Sequence, residues 1–317
     1  MEGLKYSIVI PVYKNEASIE ALVSNLNGLV SQLSDLEVVF VIDGSPDRSF
    51  EKLRGLLPTA QFQSQLVLLS RNFGSFAAVT AGLTVARGEL LTVIAADLQE
   101  PPELPLRFFK ELDSGDCDIV IGQRQARNDP WSSKMASALF WGLYRRFVQK
   151  ELPPGGIDVF GCNRQVRDAL VAFGESNTSL VGLLLWVGFR RRAIGYDRLE
   201  RQHGKSAWSF RRKLRYLKDS VFAFSDLPIQ LLGWAGSLGI ACSIGLAIIV
   251  IIMRLAGGIP VPGYAATISV ILFFGGLNAF GLSLLGEYIW RNFENSKQRP
   301  RFIVFQSHQF ESGTQKQ

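Results

Sequence analysis

The stretch Leu90–Pro102 reads Leu-Leu-Thr-Val-Ile-Ala-Ala-Asp-Leu-Gln-Glu-Pro-Pro, and it indicates how the chain folds and where ligands bind. Leu90–Ala95 has the length and apolar composition of a buried strand, which the two prolines prevent from continuing. Asp97 follows this strand. Open α/β sheets bind ligands beyond the carboxyl ends of their strands, and carboxylate oxygens suit Mg²⁺ or Mn²⁺. Asp97 is therefore a candidate metal ligand, with a helix N-cap or loop aspartate as the alternative.

The composition limits the classes of protein that the chain can belong to. It has 317 residues, with 34 Lys and Arg against 28 Asp and Glu, a net charge of +6. A basic balance fits nucleic acid, an anionic membrane or a phosphorylated substrate. Nucleic acid is disfavoured, because the basic residues cluster beside apolar segments and no base-reading motif accompanies them. The 3 cysteines have no paired spacing, which predicts a reducing compartment without structural zinc, and only 2 histidines occur.

The C-terminal part of the chain contains two long uncharged segments. No charged residue occurs from 227 to 253, and after Arg254 none occurs until Glu287. Pro228–Met253 and Tyr264–Gly286 are each long enough to cross a bilayer. Two spans keep both chain ends on one side, and four basic residues lie between 291 and 301. The positive-inside rule predicts a multi-pass protein of the plasma (inner) membrane, with its N-terminal region and its tail in the cytoplasm.

Apolar strand-length segments alternate with helical ones in the first 125 residues. The predicted strands are Tyr6–Val12, Glu37–Ile42, Leu66–Leu69, Leu90–Ala95 and Asp118–Gly122, and the predicted helices are Ala17–Leu33 and Phe76–Ala86. This order predicts a mostly parallel sheet. Polar clusters follow three strands, at Tyr13–Glu16, Asp43–Asp47 and Asp97–Gln99. These three clusters favour a nucleotide site. The sequence contains no glycine-rich phosphate-binding loop, so a metal ion and Arg or Lys side chains must balance the charge of the phosphates.

Two segments have the apolar periodicity of amphipathic helices. The first has its apolar stripe at Phe210, Leu214, Leu217, Val221 and Phe224, and the second has its stripe at Trp131, Met135, Leu139, Leu143 and Phe147. The first is basic on its other faces and directly precedes a predicted span, which favours the headgroup interface over an ordinary surface helix. For the second segment, core packing remains an equal alternative.

With these motifs, the sequence resembles the family-2 glycosyltransferases, in the polyprenyl-phosphate glycosyltransferase group that includes dolichyl-phosphate mannose synthase. The resemblance is carried by Ile8–Glu16, Ile42–Asp47, Arg71–Gly82, Asp97–Pro102, Gly122–Arg124, Asp158 and Arg201–Ser209. It implies a GT-A fold, a nucleotide-sugar donor, Mg²⁺ or Mn²⁺, a lipid-phosphate acceptor and inversion at the anomeric carbon. The implied division is a nucleotide-sugar-binding core (1–130), an acceptor and interfacial region (131–226), two transmembrane helices (227–290) and a cytoplasmic tail (291–317).

The resemblance also assigns residues to the sugar donor. Pro11, Tyr13 and Glu16 match the loop that binds the base and ribose, and Asp43 matches the base-recognising aspartate. Asp97 matches the last residue of the family's Asp-x-Asp metal motif, with Gln99 beside it.

A second group of matching residues concerns the diphosphate and the acceptor. Arg201 and Lys205 match the basic loop that closes over the diphosphate, and Lys134 and Ser137 resemble the acceptor-phosphate region. Asp158 matches the aspartate near the reacting centre, and Arg124 is a further candidate for the acceptor phosphate. The alternatives are a solvated surface position for each cation and a structural backbone contact for Asp158.

One departure from the family pattern affects the metal site. The family usually has Asp-Ala-Asp where this chain has Ala95-Ala96-Asp97, so one carboxylate is missing.

The expected reaction is transfer of a hexose, glucose from UDP-glucose, to a membrane polyprenyl phosphate. The alternatives are GDP-mannose or a UDP-N-acetylhexosamine as the sugar donor, or a non-catalytic membrane-anchored nucleotide-sugar binder. Two spans are too few for the pore of a processive synthase, and a homo-oligomer is left open.

Overall fold

The computed structural model describes residues 4–124, 142, 157, 159–175, 178–199, 218–225, 227–256 and 263–313. The strands in these ranges are β1 (Tyr6–Val12), β2 (Leu36–Ile42), β3 (Gln63–Leu69), β4 (Leu90–Val93), β5 (Ile119–Arg124), β6 (Phe160–Asn163), β7 (Arg191–Tyr196) and β8 (Val304–Phe310). The α-helices are α1 (Ile19–Leu29), α2 (Ser49–Leu56), α3 (Ser75–Val85), α4 (Leu104–Asp113), α5 (Arg164–Ala172), α6 (Leu180–Trp186), α7 (Leu227–Leu255) and α8 (Tyr264–Ser296).

The eight described strands form one mixed sheet in the order β7-β5-β6-β4-β1-β2-β3-β8. β1 is parallel to β2 and β4, β2 to β3, and β5 to β7. β6 is antiparallel to both β4 and β5, and β8 is antiparallel to β3. The carboxyl ends of β1 to β5 and of β7 therefore lie along one edge of the sheet, which is where α/β sheets bind ligands. The predicted α/β sheet is confirmed.

Apolar side chains cover both faces of the central strands, so the sheet has a core on each side. All seven residues of β2 are buried. Val38 and Phe40 belong to one core cluster and Val39 and Val41 to the other, as the alternation of side chains along a strand requires. Helix α3 packs so closely on β1 that a Cβ at Gly82 would lie 2.3 Å from Val9 Cγ1. Only glycine allows this approach.

Several strands differ from their sequence-based bounds or were not predicted. β4 ends at Val93, so Ala95 lies in the following loop rather than in the strand. β6, β7 and β8 were not predicted. β8 pairs with β3 over most of its length, and its pattern of exposed positions is that of an edge strand. An edge strand packs few side chains into a core, so its sequence shows little apolar alternation.

The described residues between 218 and 296 are mostly helical and expose many large apolar side chains. Residues 218–224 are helical, and α7 and α8 contain 29 and 33 residues. Among the residues that the structure describes, no helix combines the length and the apolarity needed to cross a membrane. The two spans stay a prediction. The amphipathic segment at 131–147 lies outside the described residues except for residue 142, and so does the first part of the segment at 210–224.

Candidate functional site

The three polar clusters predicted from the sequence meet at the carboxyl edge of the sheet, where hydrogen bonds join their loops. The Lys14 amide donates to Ser45 Oγ at 2.8 Å, which joins the loops after β1 and β2. Ser18 Oγ donates to the Ala96 carbonyl at 2.8 Å, which joins the loop after β1 to the loop after β4. The prediction that these three strand ends come together is therefore confirmed for the described residues.

Asp43 is buried, with 3% of its surface exposed, and its carboxylate accepts two backbone hydrogen bonds. The Phe73 amide donates to Oδ1 at 2.7 Å and the Gly74 amide donates to Oδ2 at 2.9 Å. Gly74 directly precedes α3, so the carboxylate lies at the positive end of that helix. Asp43 therefore holds the loop between β3 and α3 in place. A carboxylate oxygen has more than one lone pair and can accept more than one hydrogen bond.

Glu16 and Asp47 hold the loops after β1 and β2 together. The Glu16 amide donates to Asp47 Oδ2 at 3.1 Å, and Glu16 Oε2 accepts from the Arg48 amide at 3.2 Å. Burial raises the pKa of Asp47, but hydrogen bonds from the Ser45 and Ser49 hydroxyls outweigh this effect and hold that pKa below its usual value. Through these contacts the two carboxylates fix the loops after β1 and β2 relative to each other.

Pro11 and Tyr13 lie at the end of β1, and both are half-buried. The Tyr13 amide donates to Asn15 Oδ1 at 3.1 Å, and Lys14 adopts a left-handed conformation with φ of 57°. The Lys14 ammonium lies 5.5 Å from the centre of the Tyr13 ring. A partly exposed aromatic ring at this edge can stack on a planar base.

The loop after β4 is tied to the loop after β7. Gln99 is buried, its backbone carbonyl accepts from the Leu199 amide at 2.9 Å, and its side-chain oxygen accepts from the Arg198 guanidinium. Arg198 was missed by the sequence analysis because β7, whose end positions it, was not predicted. Asp97 lies in the same loop and is half-buried.

Glu100, also missed, is a buried carboxyl beside Asp97. Only 8% of its surface is exposed, and its Oε2 has no hydrogen-bond partner in the described part of the chain. Burial, and then the charge of Asp97, raise the pKa of Glu100 to about 7, against the opposing effects of Arg198 and Arg124. A signal was available, since Glu100 is a charged residue directly before Pro101 in a stretch that follows a buried strand.

The donor set of this loop fits a divalent cation that is shared with a substrate. Among the described residues, no group of three or more His, Cys, Asp or Glu side chains converges on one point. Mg²⁺ is commonly held by one or two carboxylates together with substrate phosphates and water. Asp97 and Glu100 provide carboxylates at the sheet edge, so the residues present are compatible with such an ion.

Of the remaining predicted site residues, the structure describes only Arg124. Arg124, at the end of β5, is paired in register with Tyr196 at the end of β7, so it lies on the same edge as Asp97. The predicted site residues that lie outside the described residues are Asp158, Arg201, Lys205, Lys134 and Ser137. Their roles stay predictions.

Comparisons with known proteins identify relatives along the whole chain. The sequence model described as Glycosyl transferase family 2 matches residues 7–172. An undecaprenyl-phosphate 4-deoxy-4-formamido-L-arabinose transferase of Aeromonas hydrophila is 33% identical over 305 residues, covering 95% of this chain and 93% of the relative. An uncharacterized glycosyltransferase of Synechocystis, sll0501, is 33% identical over 303 residues, covering 95% of each chain.

Among solved structures, the fold is similar to that of glucosyl-3-phosphoglycerate synthase from Mycobacterium tuberculosis in complex with Mn²⁺, UDP-glucose and phosphoglyceric acid. The TM-score is 0.45 at 17% sequence identity, covering 69% of this chain and 80% of that chain.

Proposed function

We propose that this chain, a glycosyltransferase that belongs to glycosyl transferase family 2, transfers a hexose from a nucleotide sugar to a polyprenyl phosphate in the membrane, with inversion at the anomeric carbon. The sugar donor that we propose is UDP-glucose. The observation that carries the proposal is the meeting of the Tyr13, Asp43 and Asp97 loops at one sheet edge. For the acceptor, support comes from relatives that are named undecaprenyl-phosphate transferases and that match nearly the full chain.

The sugar donor would be held by its base and by its diphosphate. We expect the Tyr13 ring to stack on uracil and the Asp43 carboxylate to accept a hydrogen bond from uracil N3–H. A divalent cation held by Asp97 would balance the charge that develops on the leaving diphosphate. Arg201 and Lys205 are proposed to add positive charge there.

The acceptor needs little help from a general base. A phosphate monoester is largely ionised near neutral pH, since its second pKa is about 6. Arg124, Lys134 and Ser137 are proposed to bind this phosphate, and Asp158 to orient it. Holding the acceptor phosphate in line with the anomeric carbon supplies much of the rate by proximity.

We propose that α7 and α8 anchor the chain in a bilayer. In the described parts of both helices, large apolar side chains face outward, including Trp234 at 75% and Leu282 at 69% exposure. Exposed apolar surface of this extent marks a membrane or protein contact. β8 follows α8 and pairs with β3, so the chain returns to the side of the sheet domain. This path favours an even number of crossings, with the sheet domain and the tail in the cytoplasm.

A sugar-donor panel tests the proposed reaction. The full-length chain, purified in detergent, is incubated with polyprenyl phosphate, Mg²⁺ or Mn²⁺, and UDP-glucose, GDP-mannose or a UDP-N-acetylhexosamine, and the lipid product is detected by mass spectrometry. We expect polyprenyl-phosphate-glucose, with none formed when the lipid phosphate is replaced by the polyprenol. Binding of UDP-sugar without turnover of any sugar donor would contradict the proposal and support a non-catalytic binder.

A further inference from the structure

We propose that Glu100 supplies the second carboxylate of the divalent-cation site, in place of the carboxylate that residue 95 lacks. The inference rests on the proposed function, because the cation is the one that accompanies the diphosphate of the sugar donor. It adds Glu100, three positions beyond Asp97, to which the sequence analysis assigns no role.

The loop after β4 carries Asp97 and Glu100 three residues apart, and hydrogen bonds hold its backbone on both sides of Leu98. The backbone is fixed at Ala96, whose carbonyl accepts from Ser18, and at Gln99, whose carbonyl accepts from Leu199. Between these points Leu98 has a φ of 57°, a left-handed conformation that is uncommon for leucine and that is held by its surroundings. A loop fixed at both sides of a turn presents its carboxylates in a defined arrangement.

The chemistry of Glu100 is unusual for a residue with only a structural role. Within the described part of the chain, Glu100 Oε2 is a buried carboxylate oxygen that lacks a hydrogen bond, which is costly, and the charge of Asp97 adds repulsion. A divalent cation between Asp97 and Glu100 removes both costs, because it replaces the missing hydrogen bond and neutralises the pair. Ala95, beyond the end of β4, offers no oxygen for this purpose.

Mn²⁺ binding tests the inference without relying on turnover. The free Mn²⁺ signal in electron paramagnetic resonance is measured for the full-length chain in detergent, with and without UDP. The E100Q variant keeps the shape of the side chain and removes the charge, and the matched control is E103Q at the exposed Glu103. We expect E100Q to weaken Mn²⁺ binding in the presence of UDP by at least about tenfold, since even outer-shell partners are typically worth 10–100-fold. E103Q should bind as the wild type does.

A compensating variant separates a ligand from a residue that only supports the loop. If Glu100 replaces the carboxylate missing at residue 95, then A95D added to E100Q should restore most of the Mn²⁺ affinity. Melting temperatures show whether each variant is folded. Wild-type Mn²⁺ affinity in folded E100Q would overturn the inference, as would an affinity loss that A95D leaves unchanged. In either case the transfer assay with polyprenyl phosphate still decides the proposed function separately.

Discussion

Replacing Asp43 by asparagine tests whether one carboxylate both holds the fold and binds the base. Its two oxygens accept from the Phe73 and Gly74 amides at 2.7 and 2.9 Å, and only 3% of the residue is exposed. An asparagine keeps one oxygen but turns an NH₂ group toward the other backbone N–H. That amide then loses its acceptor in a partly buried contact.

The size of the effect follows from these contacts. A hydrogen bond to a charged group contributes about 1.5–3 kcal/mol, and an unsatisfied buried donor costs a similar amount. The two contacts share one carboxylate and are not independent, so we expect the free energy of unfolding to fall by about 3 kcal/mol rather than by their sum. For a domain of this size the melting temperature should fall by roughly 6–12 °C. If Asp43 also accepts from uracil, the Kd for UDP should rise by roughly 10–100-fold.

Glu37 provides a matched control at the opposite end of β2. It is fully buried, and its carboxylate accepts from Ser7, Gln65 and both the amide and the guanidinium of Arg87. Glu37→Gln should lower the melting temperature without changing the Kd for UDP in calorimetry, because this end of the strand is far from the ligand edge. An equal Kd for wild type and Asp43→Asn would remove Asp43 from the base site. An unchanged melting temperature would refute the hydrogen-bond argument itself.

Three further predictions concern other parts of the molecule. Two hydrogen bonds of 3.0 Å from Arg190 hold the pKa of Asp118 below its usual value. The stability that they add is present above the unfolded-state pKa and is lost as the pH falls through the folded-state pKa. The difference in urea stability between wild type and Asp118→Asn should therefore shrink as the pH is lowered through that range, and a difference that does not change with pH would refute the argument. Arg291 and Asp219 form an ion pair of 2.7 Å that joins α8 to residues 218–224. A double-mutant cycle on the free energy of unfolding should give a coupling of about 0.5–3 kcal/mol between them. If the effects of the two single substitutions simply add, the contact is excluded. Cys242 is exposed on α7. If α7 lies in the bilayer, a membrane-impermeant maleimide should label Cys242 only after detergent denaturation. Rapid labelling in intact membranes would contradict that placement.

The sequence predicts the central strands because each is an apolar run that ends at polar or turn-forming residues. β1 has the predicted bounds, and β2 differs by one residue at its start. The same rule locates the ligand edge, since parallel strands place their carboxyl ends together. The site loops at Tyr13, Asp43 and Asp97 could therefore be grouped before any coordinates were known.

The elements that the sequence analysis missed have weak local signals. β6 has four residues, and β8 is an edge strand whose side chains are mostly exposed. Their pairing depends on partners that are distant in the chain, so composition and periodicity do not reveal it. Glu100 was missed for a different reason, because its burial depends on a loop that is fixed by Ser18 and Leu199 rather than on its own neighbours.

The tail after α8 links the helices proposed to lie in the membrane to Asp43, the residue proposed to bind the base. The Ser70 amide donates to the Ile303 carbonyl at 2.9 Å, just before β8 pairs with β3. Three residues further along the chain, the Phe73 amide donates to Asp43. The position of α8 is thereby connected to the Asp43 carboxylate through one strand pair and one short loop. If Asp43 binds the base as proposed, the geometry of that part of the site depends on the contact between Ser70 and Ile303 and on the pairing of β8 with β3.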